Sequence, residues 1–331
     1  MKNNKILSAL TLASALFFVG CANEAPAPKV QKKVQNTNKQ EIRHDIQVIN
    51  ASYDGNTTKI LAQIEKGFMN NGIEISANND MNKPFSDAFG ETDKQAGKDF
   101  VIYRLMPVYH EELSVKLIKD YPKFGLISPI STSVYSKNGD SISISILSLE
   151  GMSRISGVPV TNPDLIAYSK LITKSLSDAL PNGTHKTLDY KVLRPDGELV
   201  TKFTFILPNE SGDIEEAMEA YEEQMEGEIE SVGFKTPAFT EMEVEGYEFY
   251  KTMSICKFDV IYPVHKIHPE AGAFAPCTMY KYKKEGDKFT RMGYPSVYNW
   301  IKSTNIFDDY SLEPLIDAQN LLESTIDSTI E

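Results

Sequence analysis

The chain has 331 residues, a formal net charge of −12 and 41% hydrophobic residues. That length suits two domains or one large one. An acidic surface argues against nucleic acid and anionic lipid headgroups as partners, because like charges repel.

The opening "MKNNKILSALTLASALFFVGCANEAPAPK" places Lys2 and Lys5 before an apolar run over residues 6–19. That run is too short and wrongly flanked to span a bilayer, so residues 1–20 read as an export signal. Phe18-Val19-Gly20-Cys21 resembles the lipobox of bacterial lipoproteins, with Phe18 where leucine is usual. The resemblance implies that Cys21 is acylated and begins the mature chain; an ordinary secretory signal is the alternative. Ala22 in place of an aspartate implies sorting to the periplasmic face of the outer membrane. The membrane is then a partner through the lipid anchor. Residues 21–44 are polar, carry two prolines and read as a disordered tether. As a flexible coil it would span on the order of 25–30 Å.

From residue 45 the pattern changes. "IQVINAS" alternates as a half-buried strand does. A helix follows over about 57–71, with Ile60, Leu61, Ile64 and Phe68 on one face and Gly72 as its stop. "FVIYRLMPVY" is a strand interrupted by Pro107, and "EELSVKLIKDY" has helical spacing. "STSVYSKNGDSISISIL" is a hairpin turning at Asn138-Gly139, and Asn162-Pro163-Asp164 opens a helix to Leu180. The order then recurs. "TKFTFIL" is a strand, and Ile214, Met218, Tyr221, Met225, Ile229 and Val232 stripe a helix ending at Gly233. That stripe reads as core, and the ten acidic residues of 210–230 as a solvated helix face. "YEFYKTMSI" is a strand, "TMYKYKKEGDKFTRM" a hairpin and "LEPLIDAQNLLESTI" a closing helix.

The recurrence has a fixed register. Residues 122–140 and 269–287 are identical at seven of nineteen positions under a constant offset of 147. About one match is expected from average composition. The marks are Pro122, Gly125, Pro129 and Tyr135 in one copy and Pro269, Gly272, Pro276 and Tyr282 in the other. The expected fold is therefore α+β, two tandem copies of a strand-helix-strands-helix unit, over residues 45–183 and a divergent 184–331.

The run from helix 57–71 through "GIEISANNDMNKPF", "FVIYRLMPVY" and "LIKDYPKFGLISPISTSVYSKNGD" resembles domain-of-unknown-function family 302 over about residues 45–182. The resemblance implies a fold similar to the TATA-binding-protein-like class. Its motifs are turn and packing residues and carry no chemistry.

Several motifs fail. "HEELS" has Ser114 where a zinc protease needs its second histidine. Asn78, Asp80 and Asn82 are spaced as calcium-loop oxygens but lack the sixth-position glycine and closing glutamate. "GMSRI" lacks the second glycine of a nucleophile elbow. One constellation stands: Cys256, His265, His268 and Cys277, a candidate zinc or copper(I) set. The alternatives are a Cys256–Cys277 disulfide, as export into an oxidising compartment favours, and buried free thiols. The preferred function is a non-catalytic binding or scaffolding lipoprotein, its partner a small apolar ligand held between the copies or an envelope protein. A metal-binding lipoprotein using the Cys/His set and a hydrolase with a site between the copies are the alternatives. The identity of any cofactor is left open by the sequence.

Overall fold

The computed structural model describes residues 42–191, 197–208 and 212–330. The expected export signal, Cys21 and the tether up to residue 41 lie outside them. In the first half, β1 (Ile42–Arg43) and β2 (Ile46–Ser52) lead into α1 (Thr57–Met69). Next come β3 (Glu74–Ile75), β4 (Asn79–Asp80), α2 (Asn82–Phe89), β5 (Ile102–Leu105) and β6 (Val108–Tyr109). Helix α3 (Glu111–Asp120) runs into a 3₁₀ segment, Pro122–Ile127, then the hairpin β7 (Thr132–Ser136) and β8 (Ser141–Leu147). Helices α4 (Leu149–Ser156) and α5 (Pro163–Ala179) close the half.

Strands β9 (Thr184–Thr187) and β10 (Tyr190–Lys191) follow. The second half holds β11 (Val200–Phe205), α6 (Ile214–Ser231), β12 (Lys235–Glu241), β13 (Tyr247–Cys256) and α7 (Phe258–Ile267). A second 3₁₀ segment, Pro269–Phe274, precedes β14 (Cys277–Lys284), β15 (Thr290–Pro295), α8 (Tyr298–Thr304) and α9 (Asp309–Ile330). Among the described residues no helix is long and apolar enough to cross a membrane.

Local chemistry sets these bounds. Asn56 caps α1 by accepting from the Lys59 amide at 3.0 Å, and Gly72 ends that stretch at φ +70°. Asn162 accepts from the amides of Asp164 and Leu165 to start α5. Gly139 turns the first hairpin at φ +81°.

The protein is α+β, and its two main sheets share one plan. The first has the order β4-β5-β7-β8-β2-β9 and the second β12-β13-β14-β15-β11. Strand for strand these orders coincide, except that β9 is added beside β2. The chain thus leaves the first sheet after Thr187, past the expected boundary at 183. The tether boundary shifts too, because Ile42 and Arg43 pair with Lys191 and Tyr190.

Alternation along the strands gives each sheet two buried faces. Ile142, Ile144 and Ile146 point to one side of β8, Ser143 and Ser145 to the other. Helices α1 and α5 pack against one another, Gly67 lying so close to Ala179 that a Cβ would meet its backbone at 2.5 Å. In the second half Met218, Tyr221, Met225 and Ile229 of α6 are buried, so the Met/Tyr stripe is core. Most of the acidic side chains of α6 are solvated. Glu222 is an exception and turns inward to Lys281, which is fully buried, and to Lys251 at 3.5 Å. Residues 40–331 form one compact unit, with a continuous hydrophobic core through both halves.

Candidate functional site

The repeated Pro and Gly marks form the seam between the halves. Each 3₁₀ segment leaves its own half and lies on the inner face of the other half's sheet. Thr278 donates its hydroxyl to the Pro129 carbonyl at 2.9 Å, and Ser131, its counterpart, donates to the Pro276 carbonyl. Tyr250 donates to the Pro122 carbonyl, while Ser133 donates to the carbonyl of Pro269 at 2.9 Å. The peptide bonds before Pro129 and Pro276 are both cis.

Gly125 and Gly272 have negative φ but no room for a side chain. A Cβ on Gly125 would fall 2.0 Å from the Tyr250 hydroxyl oxygen, and one on Gly272 would fall 2.3 Å from the Ser133 Cβ. Tyr135 and Tyr282 lie on the same inner faces, Tyr282 stacked on Tyr250 at 5.7 Å. At one end Arg154 binds Asp45 at 2.7 Å, Asn299 at 2.9 Å and Ser303 at 2.9 Å, joining the halves through a buried carboxylate.

This packing bears on two expectations. The gap bounded by Leu126, Ile127, Ala273 and Phe274 has about 10 Å³, close to the room one water needs. At that part of the seam between the halves a ligand groove or a hydrolytic site has no space.

The Cys/His set does not assemble as a metal centre. His265 lies on α7, fully buried, stacked on Trp300 at 5.6 Å and edge-on to Tyr103 at 5.2 Å. Neither of its ring nitrogens has a hydrogen-bond partner, and burial lowers its pKa to about 3. His268 faces away to carboxylates, Asp308 at 3.4 Å and Glu270 at 3.7 Å. Burial opposes the charge on His268, but those carboxylates raise its pKa on balance.

Cys256 and Cys277 are free thiols, so the disulfide expectation is not met either. In the ladder Ile255 stands opposite Cys277, leaving Cys256 one position out of register. Burial pushes Cys256 up to about 12 and Cys277 up to about 11. At neutral pH only about one thiol in 10⁴ or fewer is a thiolate, the form that metals and electrophiles need. Among the described residues no three His, Cys, Asp or Glu side chains converge on a metal position. The calcium-like oxygens are occupied as well: Arg104 binds Asn78 at 3.1 Å and Asp80 at 3.6 Å. His110, the histidine of "HEELS", caps α3.

What the second half holds instead is an apolar cavity of about 50 Å³, open at one side. Ile255, Val260, Ile261, Leu315, Ala318 and Leu322 line it, together with both cysteines and Trp300. Gln319 also lines it, bonded to Thr201 at 2.8 Å and Tyr294 at 3.2 Å. Trp300, Lys257 and Gln319 were not singled out by their sequence context. Trp300 is the chain's sole tryptophan, and that rarity was the available signal.

No family model and no curated protein matches this chain. Among solved structures it is similar to the "Crystal structure of uncharacterized conserved protein DUF302 from Bacillus stearothermophilus". The match has 15% identity and a TM-score of 0.33, and covers 41% of this chain and all of that one.

Proposed function

We propose that this chain is a cell-envelope lipoprotein acting as a non-catalytic binding or scaffolding module. It is anchored through acylated Cys21 at the periplasmic face of the outer membrane, and its partner is a small apolar molecule or another envelope protein. The observation that carries the reading is the reciprocal seam. The residues that recur most strictly between the copies join the copies to each other, which suits a rigid platform.

Mass spectrometry of protein recovered from cell envelopes tests it, comparing intact native and denatured masses. The expected chain begins at Cys21, carries acyl groups, and in the native state bears a mass that denaturation removes. A chain without lipid overturns the anchor. Sustained turnover of a substrate by purified protein overturns the non-catalytic role.

A further inference from the structure

We propose that the cavity of the second half is a binding site for a slender alkyl chain bearing an anionic head group. The proposal deepens the binding reading above by naming a place and a ligand class. Comparison of the two closing helices carries it. Buried residues of α5 and α9 correspond at an offset of 150: Leu165 with Leu315, Ser169 with Gln319, Ile172 with Leu322, Ser175 with Thr325 and Leu176 with Ile326. In that register Ala318 stands where the first half has Tyr168. The Tyr168 ring is fully buried, packed edge-on against Phe124 at 5.3 Å. Phe124 in turn corresponds to Ala271 at the offset of 147. Two large aromatic side chains that fill the first half are alanines in the second, and Ala318 lines the cavity that remains.

The wall chemistry narrows the ligand. Its floor and sides are aliphatic and aromatic, so the occupant's buried part is hydrocarbon. At about 50 Å³ the space takes a chain end rather than a ring system. The one charged side chain that lines the cavity is a lysine. Lys257 lines the cavity and is pinned above the Phe234 ring at 5.5 Å, donating to the Val232 carbonyl at 3.1 Å and pairing with Asp259 at 3.1 Å. An ammonium has three donors, which leaves one for an incoming carboxylate. Lys235 lies opposite Cys256 in the ladder, and its charge bears on that thiol. The indole Nε1 of Trp300 is buried with the Cys277 sulfur as its polar neighbour.

Because Trp300 is the sole tryptophan, its fluorescence reports this wall alone. The test titrates the full chain with octanoate and with octylamine. Octanoate is expected to give a saturable change, with octylamine binding at least about tenfold more weakly, the equivalent of about 1.4 kcal/mol. Ala318→Tyr, which restores the first-half residue, is expected to abolish the octanoate response. Ala318→Leu serves the same purpose if the larger ring prevents folding. Lys257→Met is expected to weaken octanoate about tenfold and leave octylamine unaffected. No saturable change with octanoate, equal affinity for octylamine, or a full response in the filled variant overturns the site. A bound mass of another chemical class on envelope-derived protein would sustain the general binding reading while removing this one.

Discussion

His265 occupies the place that Ile118 holds in the first half, and both side chains are fully buried. An apolar position has received an imidazole whose nitrogens have no hydrogen-bond partner of ordinary geometry, and the Ala271 backbone beside it only partly offsets the cost of burying its charge. The ring is therefore held neutral, with a pKa of about 3 against an ordinary 6.5. A folded-state pKa below the unfolded one means that stability is fully present above pH 6.5 and falls as the pH drops toward 3. At pH 5 the loss relative to pH 8 is about 2 kcal/mol from this group. His268 acts in the opposite sense: its raised pKa adds stability at low pH that fades as pH rises. Replacing His265 by phenylalanine retains a ring against Trp300 and removes only the first effect. The His265→Phe protein should gain about 2 kcal/mol on wild type at pH 5 relative to the difference at pH 8, measured by urea unfolding. Equal differences at the two pH values would refute the buried neutral histidine.

Among elements, the 3₁₀ segments are the least ordinary, because each serves the other half's sheet. Gly272 is the less forgiving of the two glycines, since its nearest obstacle is the Ser133 Cβ on β7 rather than a side-chain tip. Gly272→Ala should cost about 1–3 kcal/mol through forced separation of that segment from the strand. The readout is a lower urea midpoint at an unchanged m-value; a change under about 0.5 kcal/mol would mean that the seam yields freely. The sequence marked these residues clearly, since Pro122, Gly125 and Pro129 recur at a fixed offset, but spacing could not say which sheet they touch. Hairpins and capped helices were legible because Asn138-Gly139 and Asn162-Pro163 act locally. Helix α7 was not. Val260, Ile261, Tyr262, Pro263, Val264 and His265 are all buried, so no polar face marks a helical period, and Pro263 stands inside it. The same all-round burial hid the surroundings of His265 and made a metal ligand of it on paper. Strand β9 escaped for the reverse reason: Thr184 to Thr187 are all exposed, and only pairing with β2 makes them a strand. The cavity was invisible too, because it follows from which residue faces which across α9, a relation that a three-residue shift in register conceals.

For the whole molecule the seam decides how many independent units unfold. Chains of more than 300 residues commonly separate into domains that melt one by one. Here neither sheet has a finished inner face alone. Without the segment Pro269–Phe274 the first sheet would expose Leu105 and leave Ser133 and Ser145 without the carbonyls of Pro269 and Glu270. Without Pro122–Ile127 the second would expose Tyr250 and Tyr280. The Asp45 carboxylate, 2% exposed, would lose Ser303 and its Arg154 partner would lose Asn299, a partial stripping of a buried ion pair that is strongly unfavourable. Unfolding either half thus uncovers apolar and polar surface on the other, and the cost of opening one alone approaches that of opening both. Urea unfolding followed by far-ultraviolet circular dichroism, which sees both halves, should coincide with the curve from Trp300 fluorescence, which sees only the second. Two separated transitions would show that the halves are independent bodies, and the reading of the seam as a rigid joint would fall with that result.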